Sequence, residues 1–138
     1  MPKVTRSFEF EVPAKELWEL VSGFHGMPKW HPLILKNKVE DGGRIRHMAL
    51  KGGGAVKELL TRLDEKGRSM TYVITEGDMP FSGYSSSLSV ARKGPRKSTL
   101  TWVGNYTPEK APKEECAKII AMVYETGAEG IRKHFKLG

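Results

Sequence analysis

The chain has 138 residues, with 23 lysines and arginines against 16 aspartates and glutamates and a formal net charge of +7 at pH 7. This length is typical of one domain that buries a core without disulfide or metal crosslinks. The single cysteine excludes an internal disulfide, and the chain lacks the run of about 18 to 20 apolar residues that would span a membrane.

The first elements in chain order are a strand and a short helix. Apolar and polar residues alternate over residues 4–12, which is typical of a half-buried strand. Pro13 suits the first position of a helix, and apolar residues follow at helical spacing up to Phe24. The next run, residues 27–32, contains two prolines and predicts a structured crossing loop.

The rest of the chain predicts a meander followed by a long helix. Six further strands are predicted at residues 33–39, 44–50, 56–63, 69–76, 84–91 and 97–106. Short connections with turn residues join them, so successive strands should pair as antiparallel hairpins. After Pro108, apolar residues recur every three or four positions to Phe135, as in an amphipathic helix. The predicted fold class is α+β: a curved antiparallel sheet of about seven strands around a long C-terminal helix, with short helices between strands 1 and 2.

Alternate residues of a strand share a face, so the apolar parity identifies the inner face of the sheet. The predicted inner residues are Val56, Glu58, Leu60 and Arg62 on the fourth strand, Met70, Tyr72, Ile74 and Glu76 on the fifth, Tyr84, Ser86, Leu88 and Val90 on the sixth, and Leu100, Trp102, Gly104 and Tyr106 on the last. One helix packed across a strongly curved sheet leaves a wedge-shaped space, which predicts a ligand cavity. The alternative is that the apolar stripe of the helix simply fills the core.

Glu58 is a carboxylate on this otherwise apolar face, and even parity on the third strand would place Arg46 beside it. Burial disfavours a charged carboxylate, whereas a neighbouring guanidinium favours it. Such a pair can transfer protons or anchor a polar group of a ligand. An ion pair with a structural role near the rim of the sheet is an equally good interpretation.

Loop residues supply further candidates. His31, beside Trp30, either lines the cavity opening or is a loop histidine held by the neighbouring prolines. Met79 and Phe81 lie between two predicted strands, where they either cover the cavity or cap the core. His25, His31, His47 and His134 show no ligand spacing and no set of cysteines accompanies them, so no metal site is expected.

The basic residues are spread along the chain, apart from a cluster at the turn around Gly94 and Pro95 that consists of Arg92, Lys93, Arg96 and Lys97. Solvated turns often carry charge, and no zinc-finger, RNP-type or basic-helix pattern accompanies the cluster. Nucleic-acid binding is therefore disfavoured. A basic interaction module for an acidic partner or RNA remains the weakest of three functional hypotheses.

Several local motifs occur in order along nearly the whole chain: residues 12–20, residues 24–32, Gly54-Ala55-Val56-Lys57-Glu58-Leu59-Leu60 with Asp64, residues 72–80 followed by Tyr84, Leu100-Thr101-Trp102, and residues 123–131. Their order and spacing resemble the START/Bet v1-like (SRPBCC) superfamily, and within it the polyketide cyclase/dehydrase-type group. The resemblance implies a helix-grip fold over residues 1–138 as a single ligand-binding domain. Because some relatives are enzymes and others carry lipids, hormones or quinones, it does not decide between catalysis and transport.

The segment from Gly43 to Leu60 also resembles the plant lachrymatory-factor synthase branch, in which an arginine and a glutamate on these two strands serve in the pocket. Arg46 and Glu58 match those positions. The resemblance therefore implies that these two residues form the polar part of the site.

The first hypothesis is a protein that binds a small hydrophobic or aromatic molecule, such as a lipid or a polyketide-like compound. The predicted ligand-binding residues are Trp30, His31, Tyr72, Met79, Phe81, Tyr84, Trp102, Tyr106, Ile120, Val123 and Tyr124. The alternative is a cofactor-free cyclase, dehydratase or isomerase, with Glu58 as general acid/base and Arg46 stabilising an oxyanion or enolate. No leader-like segment is recognised, so we expect a cytoplasmic monomer or homodimer.

Overall fold

The computed structural model describes residues 2–24 and 26–137, and it contains the predicted elements in the predicted order. The described elements are β1 (Lys3–Phe10), α1 (Ala14–Val21), a 3-10 turn (Met27–Lys29), β2 (Ile34–Glu40), a second 3-10 turn (Asp41–Gly43), β3 (Ile45–Leu50), β4 (Ala55–Asp64), β5 (Ser69–Gly77), β6 (Phe81–Gly94), β7 (Lys97–Pro108) and α2 (Lys113–His134). The α+β class and the long C-terminal helix are confirmed. None of the helices described is long and apolar enough to cross a membrane.

The strands form one antiparallel sheet in the order β1-β7-β6-β5-β4-β3-β2. The first strand pairs with the last, β7, so β1 forms one edge of the sheet and β2 forms the other. The register places Leu60, Tyr72, Ser86 and Gly104 in one row across four neighbouring strands. Helix α2 packs against β1 and β7, so the apolar stripe of α2 faces the side of the sheet that carries this row of residues.

Two register shifts between β4 and β5 change which residues face inward. The shift between Leu60 and Arg62 puts Arg62 opposite Thr71, where Arg62 is exposed. The shift between Lys57 and Glu58 puts Glu76 opposite Lys57, and their side chains form a surface ion pair of 3.3 Å. The predicted inward positions of Arg62 and Glu76 are therefore wrong, because a bulge reverses the parity of every residue beyond it.

The crossing segment, residues 27–32, lies directly against two glycines of α2. A Cβ added at Gly130 would overlap the Trp30 carbonyl oxygen and lie 2.8 Å from Pro32 Cδ. A Cβ at Gly127 would lie 3.0 Å from His31 Cδ2. The absence of side chains at these two positions lets the segment approach the helix backbone and form one end of the interior.

Candidate functional site

A cavity of about 150 Å³ lies between the inner face of the sheet and α2. Its walls are mostly apolar and are formed by Met27, His31, Leu33, Ile34, Met48, Leu50, Lys51, Val56, Glu58, Tyr72, Ile74, Met79, Phe81, Tyr84, Trp102, Ile119, Ile120, Val123 and Tyr124. Lys51 is exposed, and Leu50, Ile119 and Val123 are half-buried. The cavity therefore meets solvent between the β3–β4 hairpin and α2.

Most of the predicted ligand-binding residues line this cavity, together with Glu58, but Trp30, Tyr106 and Arg46 do not. Trp30 is buried behind the cavity wall, where its ring stacks on that of the wall residue Trp102 with centroids 6.2 Å apart. The Tyr106 hydroxyl donates a hydrogen bond of 3.0 Å to the Lys113 carbonyl at the start of α2. These two residues support the cavity wall rather than form it.

The structure adds wall residues that were not among the predicted ligand-binding residues. Val56 and Ile74 were already predicted on the inner face, and Met48 shares parity with Arg46 on β3. The crossing segment and the start of β2 contribute Met27, Leu33 and Ile34. No local pattern marks these three, because their position depends on how the segment packs across α2.

Arg46 and Glu58 face each other on neighbouring strands and form an almost fully buried ion pair. Arg46 Nε donates a hydrogen bond of 2.8 Å to Glu58 Oε1, and Nη2 lies 2.6 Å from the same oxygen. The guanidinium also lies 3.9 Å from the ring centroid of Phe24, a favourable cation–π position. Arg46 is therefore directed at Glu58 rather than at the cavity.

The ion pair with Arg46 uses only one of the two Glu58 oxygens. Within the described residues, Oε2 accepts no hydrogen bond, although Glu58 lines the cavity. An ionised carboxylate oxygen has lone pairs for further donors. Oε2 is thus available to accept a hydrogen bond or a proton from a molecule in the cavity.

Three hydroxyl groups meet at the cavity wall nearest to α2 and are called the hydroxyl cluster below. Tyr124 Oη lies 2.6 Å from Tyr84 Oη and 3.1 Å from Ser86 Oγ. The Tyr124 hydroxyl reaches the sheet beside Gly104, where an added Cβ would overlap it. The Tyr124 ring is stacked on Trp102, with an interplanar angle of 2° and centroids 5.1 Å apart.

Burial controls the protonation of the phenols at this site. Burial raises the pKa of Tyr84 and of Tyr124. It also raises the pKa of Tyr72, and the negative charge of Glu58 adds to that rise. The three phenols therefore keep their protons at neutral pH, where they donate hydrogen bonds and do not act as bases.

His31 connects the crossing segment to α2 through both ring nitrogens. Nε2 lies 2.8 Å from the Val123 carbonyl oxygen, and the Leu33 backbone N–H donates to Nδ1 at 3.2 Å. A carbonyl can only accept, so this pattern requires a neutral ring with its proton on Nε2. Burial lowers the pKa of His31; the hydrogen bond to Val123 opposes this effect, and the Arg46 charge adds to it.

The lowered pKa of His31 predicts that acid destabilises the fold. The unfolded chain binds a proton at His31 near pH 6.5, whereas the folded chain does so only at lower pH. The free energy of unfolding should therefore decrease as the pH falls below about 6.5. Urea unfolding at a series of pH values measures this slope.

The comparison variant is His31→Gln, which should have a shallower slope over the same pH range. His134→Gln is the matched control, because the His134 ring is exposed on the last turn of α2, and its slope should equal that of the unmodified chain. Equal slopes for His31→Gln and the unmodified chain would contradict the prediction.

The histidines other than His31 were also considered as metal ligands in the sequence. His25 lies outside the described residues, and His47 pairs with Glu40 on the edge strand. Across residues 2–24 and 26–137, no three His, Cys, Asp or Glu side chains are grouped closely enough to hold a metal ion.

Comparison with known proteins gives consistent matches over the whole chain. The model of the family described as polyketide cyclase/dehydrase and lipid transport matches residues 1–136. The structure is similar to that of protein XoxI from Bacillus cereus, with a TM-score of 0.94 and 30% identity over 98% of this chain and 96% of that chain. No curated protein sequence matches this chain.

Two further solved structures have the same architecture. A protein from Bacillus thuringiensis matches with a TM-score of 0.93 and 30% identity, over 97% of this chain and 98% of that chain. A START superfamily protein from Mycobacterium smegmatis matches with a TM-score of 0.81 and 18% identity, over 95% and 94% of the two chains. The last likeness concerns the fold alone.

Proposed function

Because the chain belongs to the polyketide cyclase/dehydrase and lipid transport family, we propose that it binds a small hydrophobic or aromatic molecule between the sheet and α2. The observation that carries this proposal is the cavity itself, whose walls are apolar and aromatic apart from a few polar groups. Apolar clefts with a small number of placed polar groups are typical of small-molecule sites.

The volume of the cavity limits the size of the ligand. An apolar cavity of about 150 Å³ is large enough for a molecule the size of benzene. A lipid chain or a polycyclic compound would require side chains of α2 to move. The structure as it stands therefore favours a ligand of about one aromatic ring.

A cavity-filling variant tests the proposal. Val123 is half-buried on the wall formed by α2, so Val123→Phe can place its ring in the cavity. With toluene as the probe, we expect this variant to weaken binding at least tenfold, as measured by chemical-shift titration. Native mass spectrometry of the purified protein would identify a ligand that is retained during purification.

The matched control is Met122→Phe, which adds the same ring to the exposed side of the same helical turn. It should bind toluene as the unmodified chain does. If toluene bound equally to all three chains, or to none of them, the cavity would not be the site of binding.

A second candidate function is supported by the free oxygen of Glu58. We propose that Glu58 Oε2 can act as a general base in a cofactor-free cyclase, dehydratase or isomerase. The oxygen would take a proton from the carbon next to a ligand carbonyl, leaving an enolate whose oxygen accepts a hydrogen bond from a tyrosine hydroxyl. Arg46 would then be a positioning residue, because it holds Oε1 and leaves Oε2 free.

Proton exchange separates binding from catalysis. In D₂O, the protein should accelerate the incorporation of deuterium at the methyl group of acetophenone, and Glu58→Gln should abolish the acceleration while toluene still binds. The exchange is measured by NMR. If toluene binds and the unmodified chain causes no exchange, only the binding function remains.

A further inference from the structure

The hydroxyl cluster has three hydroxyl protons, and its two short contacts use two of them. Each of Tyr84, Tyr124 and Ser86 has one hydroxyl proton, and two contacts join the three oxygens. Two protons fill those two contacts, and neither contact uses the third proton. The unused proton can belong to Tyr84, to Tyr124 or to Ser86. Tyr84 and Tyr124 line the cavity whereas Ser86 does not, so in two of these three cases the unused proton belongs to a residue of the cavity wall.

An acceptor and a donor therefore face the same cavity from different elements. The acceptor is Glu58 Oε2 on β4, and the donor is the unused proton of the cluster, which is built from β6 and α2. Tyr72, on the strand between them, also lines the wall. A hydrocarbon in this cavity would leave both polar groups without a hydrogen-bond partner.

Apart from the exposed Lys51 at the opening, the described wall residues offer no unbalanced charge to an ionic ligand. The positive charge of Arg46 compensates the negative charge of Glu58 within the buried pair. The three phenols are neutral, and both nitrogens of the neutral His31 ring are already hydrogen-bonded. An ion would lose its hydration on entering the cavity, and among the described wall residues only Lys51 at the opening would offer a counter-charge.

From these observations we infer that the ligand is an uncharged, ring-sized molecule with a hydrogen-bond donor that meets Glu58 Oε2 and an acceptor oxygen that meets the Tyr84–Tyr124 pair. This inference rests on the proposed binding function and specifies the class of ligand. A ring that carries a hydroxyl group and a carbonyl group supplies both the donor and the acceptor.

Four probes of similar size test the inference. They are 4-hydroxyacetophenone, which carries both groups, 4-ethylphenol, which lacks the carbonyl, acetophenone, which lacks the hydroxyl, and ethylbenzene, which lacks both. Dissociation constants are measured by chemical-shift titration at a pH where the phenols are protonated. We expect each group to tighten binding about tenfold, which corresponds to about 1.4 kcal/mol.

Two variants assign each preference to its partner. Tyr84→Phe/Tyr124→Phe keeps both rings and removes both hydroxyls, so the preference for acetophenone over ethylbenzene should fall from about tenfold to no more than about twofold. Glu58→Gln replaces Oε2 with an amide donor or an amide oxygen of weaker basicity, and should reduce the preference for 4-ethylphenol over ethylbenzene. Each variant should leave the other preference unchanged.

Tyr106→Phe is the matched control, because the Tyr106 hydroxyl bonds to Lys113 outside the cavity, and it should keep both preferences. Thermal unfolding of each variant verifies that it is folded. If all four probes bind equally and Val123→Phe still prevents their binding, the cavity binds ligands but this inference is overturned. If no probe binds the unmodified chain, the proposed function and the inference both fail.

Discussion

Replacing Arg46 with methionine should lower the free energy of unfolding by about 3 to 5 kcal/mol, because the buried carboxylate of Glu58 is left without its partner. The exposed fractions of the two side chains are 3% and 8%, so water does not substitute for the missing guanidinium. Methionine keeps much of the apolar length of arginine, so the loss reports mainly on the charge. Urea unfolding at neutral pH measures the change.

A control variant and a double variant make this result specific. Arg44→Met removes an arginine that pairs with Asp41, and each of these two side chains is 61% exposed. This variant should change the free energy of unfolding by no more than about 0.5 kcal/mol. Arg46→Met/Glu58→Gln removes both charges and should restore a large part of the loss. A loss below about 1 kcal/mol for Arg46→Met alone would show that Glu58 finds another partner or adopts its neutral form.

Gly130→Ala should destabilise the protein by about 3 kcal/mol or more, although alanine is the better helix former. The added Cβ would overlap the Trp30 carbonyl oxygen, which belongs to a backbone that cannot move without displacing the crossing segment. The clash therefore outweighs the gain of about 1 kcal/mol that alanine gives over glycine inside a helix. Thermal and urea unfolding measure the net effect.

Glu129→Ala is the control: it introduces alanine into the same helical turn at an exposed position, where no clash arises. The free energy of unfolding of this variant should stay within about 0.5 kcal/mol of that of the unmodified chain. A more stable Gly130→Ala variant would mean that the crossing segment does not rest on α2 at this position.

The fold was predictable from the sequence because its signals are local. The alternation of Val4, Phe8 and Phe10 and the helical recurrence from Cys116 to Ile131 each identify one element and its buried face. Strand boundaries were less accurate. The structure begins β6 at Phe81, whereas the prediction placed its start at residue 84, because a register shift with a left-handed Gly83 (φ +59°) interrupts the alternation there.

The site was predictable in composition but not in detail. Strand parity was sufficient to place Glu58, Tyr72 and Trp102 on the inner face, where the structure also has them. Not every inward-facing residue reaches the cavity, however, and parity cannot distinguish a residue of the cavity wall from one packed behind it. Trp30 and Arg46 belong to that second layer, and only the packing of the crossing segment and of Phe24 places them there.

The carboxylate and the apolar helix residues of the cavity wall lie on different elements, and this separation bears on how relatives of the protein can diverge. The carboxylate comes from β4, while Ile119, Ile120 and Val123 on α2 contribute apolar side chains to the wall. Substitutions among these three helix residues can enlarge or reduce the binding volume without altering strand pairing. Selection can therefore change the size of the cavity in an inherited scaffold while leaving Glu58 in place.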